Sequence, residues 1–502
     1  MSYVSLDFPP GVSANGTEYQ NKGRWVDANL VRWQNGVMMP VGGWVRLNSR
    51  SSNLFSGVCR SLLPWRSNDG RRVLAVGTHT NLYIWSDRGL LQDVTPEGLV
   101  EGRINAVAGF GYGANNYGAD TYGDIRPGDS ALVSATTWSL DTFGEDLIAC
   151  SFADGRVFRW NLNLVDDPLP IAEPVENAPE RNAFAFVTQE RHLVVLGAGG
   201  VPTRVAWSDR ENPTEWTPTA TNRAGDFDIK TNSPLISALE VRGQYLLFTV
   251  SDVYSMTFVG GNFVYGFELL GRNCGPGSAN SAVAVSDFAV WLCPNGWHIY
   301  DGTVRQLPSE VEDYVFSDIN LTQFSKVVGG SNAEFDEVWW LYPSANSTEL
   351  NRYVAWNYVE NTWTVGALPR TAFAPAGVFS DVIMADVSGR LFFHESGWTD
   401  NGQPLLNQRF AQAAPLEIGN GDRFAVVRRM VPDERTSGQT EVSFETRRFP
   451  NGAPTIQGPF SMAEQVPMRW TARQAAVRVE SIADASWRVG VARLEVVEGA
   501  RR

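Results

Sequence analysis

The sequence predicts an all-β protein: a β-propeller of about six or seven blades, followed by a C-terminal β-sandwich. Two observations carry this. The first is a repeated unit in which an apolar strand, a Gly/Asp/Asn/Ser turn and a second apolar strand end on a large side chain. It occurs at 71–85 (RRVLAVGTHTNLYIW), 145–160, 191–207, 244–256, 288–300, 336–356 and 380–394, with final residues Trp85, Trp160, Trp207, Met256, Tyr300, Trp356 and His394. Apart from the first interval, these anchors recur at close to the roughly 40 to 50 residues of one propeller blade. A lone hairpin cannot bury both faces, so neighbouring units must stack around a ring. The second observation is composition. The 502 residues are 12% aromatic and only 19% charged, with 47 Gly and 27 Pro, which excludes disorder, coiled coils and long helical arrays.

The elements follow in chain order. Residues 1–50 carry Trp25, Trp33 and Trp44 among Gly-rich turns and read as an arm that packs with the propeller or with the C-terminal domain. The propeller is expected over 51–400. The long first interval holds an insertion (100–136) with the segment GFGYGANNYGADTYGDIRPGD at 109–129, in which Tyr112, Tyr117 and Tyr122 recur every five residues, each followed by Gly. Gly at this density opposes helix and strand alike, so the segment reads as a long loop with aromatic tips. Residues 309–325 predict one helix, with Ser309 as N-cap and Glu312 at the capping-box position. From 401 to 502 a second set of strands (423–431, 441–449, 475–481 and 486–497) reads as a small sandwich. Val477 and Val479 alternate there with Arg478 and Glu480, the period of a half-buried strand.

Charge narrows the function. Against 55 Asp+Glu stand 41 Lys+Arg, a net charge of −14, and only Lys22, Lys230 and Lys326 are lysines. A protein that grips nucleic acid needs a basic face to release counterions, so binding of that kind is not expected, whereas DNA sliding past an acidic wall is compatible. No secretory leader and no membrane span are read from the sequence. The four cysteines, Cys59, Cys150, Cys274 and Cys293, lie far apart and read as reduced core thiols.

Catalytic and ligand motifs give nothing: no catalytic, cofactor-binding or metal-binding residues are assigned, and no enzyme activity and no cofactor are expected. Gly109-x-Gly111-x-x-Ala114 matches a dinucleotide loop only superficially, because no strand precedes it and no helix follows. The four histidines, His79, His192, His298 and His394, fall in separate repeats. SDRENPTEW (208–216) occurs once and lacks the glycine and spacing of an Asp-box turn.

Four stretches point to a family: LDFPPGVSANGTEYQNKGRWVDANLVRW near the start, WSDRENPTEWTPTATNRAGDFDI, DYVFSDINLTQFSKVVGGSNAEFDEVWWLYPS, and the ending SWRVGVARLEVVEGARR. These resemble the packaged-DNA stabilisation proteins, also called tail-hub or nozzle proteins, of short-tailed bacteriophages. The resemblance runs over most of the chain, most clearly over 5–400, and extends to the Gly/Tyr insert. It implies a subunit of the virion tail, assembled in the host cytoplasm, that forms a ring with itself, usually six-fold. Such a ring sits below the portal–adaptor complex, extends the DNA channel, retains the packaged genome and opens on ejection. It meets DNA without sequence-specific binding, and tail fibres or spikes are further partners.

Within that expectation, Tyr112, Tyr117 and Tyr122 are candidates for a steric gate or, equally, for an outer contact with a neighbouring protein. Arg428, Arg429, Arg447, Arg448, Arg473 and Arg478 concentrate positive charge in the C-terminal domain and are candidates either for docking onto carboxylates of an adaptor or for a solvated strand face. The alternative functions are a receptor- or glycan-binding tail module and, behind it, a propeller glycosidase.

Overall fold

A computed structural model describes residues 2–48, 54–86, 89–107, 133–166, 168–261, 263–418, 423–436, 438–449 and 452–499. Its centre is a ring of seven four-stranded antiparallel sheets, here blades I to VII, spanning 59–93, 138–174, 184–228, 235–272, 282–307, 328–367 and 372–394. The innermost strands are Cys59–Arg66, Trp138–Phe143, Phe184–Val187, Leu235–Val241, Ala282–Val285, Val328–Asn332 and Ala372–Ala374. Each touches the next, and the last touches the first, so the ring is closed.

Every repeat unit seen in the sequence is the middle hairpin of one blade. Middle strands are covered on both faces by neighbouring blades, so they read as unbroken apolar runs: Leu193–Leu196 and Glu337–Tyr342 are buried at every position. Outer strands have no such cover, and Gly225–Asp228 is largely exposed. The core is accordingly divided. One cluster lies between blades I and II, another between II and III, and so on round to VII and I. The approach is close enough to need glycine, most tightly at Gly330: a Cβ there, in blade VI, would lie 1.9 Å from the Phe373 ring of blade VII.

Blade VII has only three strands of its own. Its fourth, Trp44–Arg46, comes from the N-terminal arm and pairs antiparallel with Leu391–His394. The arm also enters the second domain. Ser2–Leu6 pairs with Ala492–Glu498 in one sheet of the sandwich, and Trp25–Asn29 pairs with Phe410–Ala413 in the other. The arm therefore joins both domains where the sequence suggested one or the other. The two sandwich sheets share a continuous apolar cluster with blades V and VI, through Trp297, Trp340, Trp363, Trp470 and Trp487 among others.

The arm is held by a buried ionic knot. Arg32, on the strand Val31–Gln34, donates to both carboxylate oxygens of Glu337 in blade VI (2.9 and 3.0 Å) and to Glu395 just after blade VII. It lies 3.7 Å from the Phe335 ring centroid, and its side chain is 2% exposed. Burial disfavours its charge, but Glu337 and Glu395 outweigh that and hold the guanidinium above its usual range. Burial pushes the Glu337 carboxyl up, and Arg32 offsets this only in part.

The helix expected over 309–325 is corrected. The α-helix runs only from Glu312 to Asp318, with Val311 in the N-cap position and no side-chain cap. Ser309 Oγ instead accepts from the Val311 N–H (3.2 Å), turning the chain before the helix. Ile319 is extended, bridging to Ser344, and a 3-10 helix, Leu321–Lys326, starts anew with Asn320 as its cap.

Removing Arg32 leaves two buried carboxylates without a cation. Arg32→Met should therefore lower unfolding free energy by about 3–5 kcal/mol, while Arg429→Ala, which breaks a surface contact with Glu495 (3.4 Å), should cost about 1 kcal/mol or less. Denaturant unfolding checks both; an Arg32→Met protein within 1 kcal/mol of the parent contradicts the role given to the knot.

Candidate functional site

A propeller presents three places for function: its axis, the mouths of the axis, and the outer surface. The inner strands converge on a cavity of about 220 Å³ lined from every blade, from Leu62 in blade I round to Phe373 in blade VII. Bonds cross it. Asn280, leading into blade V, donates through Nδ2 to the Arg60 carbonyl in blade I (3.1 Å), and Ser61 Oγ donates to the Trp138 carbonyl of blade II (2.6 Å). At roughly 30 Å³ per water in the liquid, this space holds a few waters and no polymer. Asp141, on the inner strand of blade II, accepts from the N–H of Thr142 and from that of Val187 in blade III (2.7 Å each), and burial pushes its carboxyl up to about 6.

A buried polar cluster adjoins the cavity through Arg60. Arg60 makes a two-pronged pair with Glu349 (2.9 and 2.6 Å) and donates to the Ile104 carbonyl (2.9 Å). Lys326 Nζ donates to Glu349, Asn105 and the Thr348 carbonyl. Burial and then Arg60 pull the Lys326 ammonium down to about 8, while the bonds from Arg60 and Lys326 overcome burial and hold the Glu349 carboxyl below its usual range. Gln323 clamps the Ala106 backbone, accepting from its N–H (2.9 Å) and donating to its carbonyl (2.8 Å). These bonds hold the first side of the Gly/Tyr insertion; Val107 then pairs antiparallel with Val133, and the Ala135 N–H donates to Ser325 Oγ (3.3 Å) on the other side. Tyr112, Tyr117 and Tyr122 themselves lie outside the described residues. The cluster was not read from the sequence; its one signal was Lys326, one of three lysines in the chain, set against an apolar run.

The six candidate arginines are not one surface. Arg429 contacts Glu495, and Arg447 pairs with Glu18 of the arm (3.0 Å). Arg473 lies over the Phe424 and Phe449 rings (4.9 and 5.1 Å). Arg478 bonds Glu480 and lies 3.7 Å from the Phe410 ring centroid. These four are engaged within the chain. Arg428 and Arg448 are exposed, and no ion pair with a described residue holds either. A further exposed arginine, Arg469, was missed by sequence reading, although the alternation of buried Met468, Trp470 and Ala472 around it marks an outward position.

On the outer side of blades V and VI, Phe288, Trp356 and Tyr358 stand near-perpendicular, with centroids 5.6 to 6.3 Å apart. They line a recess of about 440 Å³ with Asp301, Arg305 and Asn361. Among the described residues, no group of His, Cys, Asp and Glu is arranged to hold a metal ion, and no helix is long and apolar enough to cross a membrane. The four cysteines are free and buried.

No family model matches the chain, and no curated protein matches it. Solved structures do. A catalytically inactive virginiamycin B lyase from Staphylococcus aureus with quinupristin is 8% identical, with a TM-score of 0.41 over 70% of this chain and 97% of that one. The CNH domain of AfRom2 is 10% identical, at 0.39 over 71% and 100%. The WD40 domain of Neurospora crassa Pan2 is 9% identical, at 0.39 over 70% and 94%. These likenesses carry no functional argument; the β-propeller fold rests on the seven sheets and the closed circle of inner strands.

Asp141 gives a pH signature to the axis. A carboxyl whose folded value, about 6, exceeds its unfolded value of about 3.9 binds protons more readily when folded. Stability is then greatest below about 4 and is lost as pH rises through 6. Asp141→Asn should show a smaller loss of stability between pH 4 and 6 than the parent; equal slopes contradict the assignment.

Proposed function

We propose that this chain is a structural subunit of the tail nozzle, or hub, of a short-tailed bacteriophage. Copies form a cyclic ring below the portal–adaptor complex, extend the DNA channel, retain the packaged genome and open for ejection. The reading starts from the sequence stretches that resemble that family, and the observation that carries it is the filled propeller axis. With bonds crossing a cavity of about 220 Å³, the propeller is a solid wall element, and a passage for duplex DNA has to run between copies.

Other features support the same reading. A ring of seven blades with a shared core between each pair is a stiff unit, since close-packed interiors transmit load with little compression. The net charge of −14 suits a wall past which phosphate slides without being bound. Cyclic assembly needs unlike faces on each copy, and the sandwich, with Arg428, Arg448 and Arg469 turned outward, offers a face that differs from the acidic remainder. Docking to an adaptor through this face belongs to the proposal.

A glycan-binding tail module is the second reading. It draws on the recess of Phe288, Trp356 and Tyr358 with Asp301, Arg305 and Asn361, where aromatic faces beside polar groups suit the stacking of a sugar ring.

Phage heads filled with DNA in the absence of this chain, then supplied with the purified protein, test the first reading. Nuclease-resistant DNA should persist only when the protein is added. Heads that hold their DNA equally well without it contradict the proposal.

A further inference from the structure

The strand Val466–Ala472 forms the free edge of one sandwich sheet, and Thr455–Ser461 forms the free edge of the other. Between them, at the end of Thr440–Arg447, lies a recess of about 450 Å³. Its polar lining consists of Arg448 and Arg469, Thr446, Thr455 and Thr471, Gln457, and Trp470. Among the described residues, no carboxylate lines it. In a chain with 14 more acidic than basic residues, two exposed arginines without an ion pair to any described residue are a local inversion of charge.

A second, independent observation concerns Trp470. Its side chain is 5% exposed and packs on Phe444 (ring centroids 5.4 Å apart). Yet its indole N–H, buried from solvent, has no acceptor. An indole nitrogen can only donate, and this donor lies on the core side of the strand, behind the outward Arg469. The recess itself offers two forked guanidiniums and lacks an acceptor of opposite charge.

We propose that this recess binds carboxylates of an extended acidic segment of a partner protein. Planar guanidiniums match carboxylates two bonds at a time. The site favours a peptide over a nucleic acid for two reasons. Both flanking strands are free edges, whose unpaired backbone groups can receive an added strand. Exposed apolar side chains, Phe449 at 56% and Ile456 at 69%, stand beside the charges, which suits a segment that alternates acidic and apolar residues. The ring reading supplies the source of the segment, an adaptor subunit, and the recess supplies the chemistry; a peptide test separates the two.

The test uses the full chain and a nine-residue peptide alternating Glu and Val, with a Gln/Val peptide of the same length as control, followed by calorimetry. The acidic peptide should bind and the Gln peptide should not. Arg448→Ala/Arg469→Ala, a change confined to exposed side chains, should weaken binding by roughly tenfold or more, whereas Arg66→Ala, at an exposed arginine of blade I, should leave it unchanged. The Trp470 indole proton, identified with Trp470→Phe and lying directly behind Arg469, should change its chemical shift on binding. Equal binding by the double variant, an unmoved Trp470 signal, or displacement of the peptide by single-stranded DNA or inorganic phosphate at similar concentration would each overturn the proposal. Failure here leaves the genome-retention result standing, and the converse also holds.

Discussion

A ring of wedge-shaped sheets is stable only when it closes, and here closure depends on a strand from the far end of the chain. Blade VII lacks its outer strand until Trp44–Arg46 pairs with Leu391–His394, so residues some 350 apart must meet before the last blade is complete. Loop-closure entropy grows slowly with length, and once the circle is complete each inter-blade core is supported from both sides. The same arm then continues into the sandwich, with Ser2–Leu6 in one sheet and Trp25–Asn29 in the other. The propeller and the sandwich are therefore tied by backbone pairing as well as by the apolar cluster they share.

The Arg32 knot sits where this lacing crosses blades VI and VII. A buried ion pair is weak support by comparison with an apolar replacement, but it is strongly selective, because a wrong register leaves charges unpaired at several kcal/mol each. Arg32 has two acceptors on different blades and a ring beneath it, so only one placement of the arm satisfies all three. His394 adds to this junction. Its ring stacks on Trp44 with centroids 5.2 Å apart and accepts from Arg370 Nε (3.1 Å), while burial and then Arg370 hold it well below its usual range and keep it neutral.

How much of this is legible in the sequence follows from burial. Middle strands are covered on both faces and announce themselves as apolar runs such as LVVL and EVWWLY; inner strands line an axis with small and polar residues (Ser61, Ser139, Gly329), and outer strands such as Gly225–Asp228 face water. Neither of the latter has a distinctive period. The arm's contribution to blade VII is a pairing between distant segments, which no local pattern encodes. Ser309 misled because a Ser three residues before Glu is a capping signature, whereas the chain uses that hydroxyl for a turn and caps the later 3-10 helix with Asn320. Among the arginines, a count of positive charge could not separate Arg447, paired with Glu18 from the other end of the chain, from Arg448 beside it. The polar cluster of Arg60, Lys326 and Glu349 draws on an inner strand of blade I, the 3-10 helix before blade VI and a turn within blade VI, so only the fold assembles it.

In the proposed reading, the filled axis and the completed circle make each copy a wall element with no passage of its own. Electron microscopy of the protein mixed with the portal–adaptor complex of a short-tailed phage, viewed down the tail axis, tests this most directly. The account predicts a closed ring of propellers around a central opening wide enough for duplex DNA, with every propeller axis filled. Single unassembled particles, or density for DNA running through a propeller axis, would contradict it.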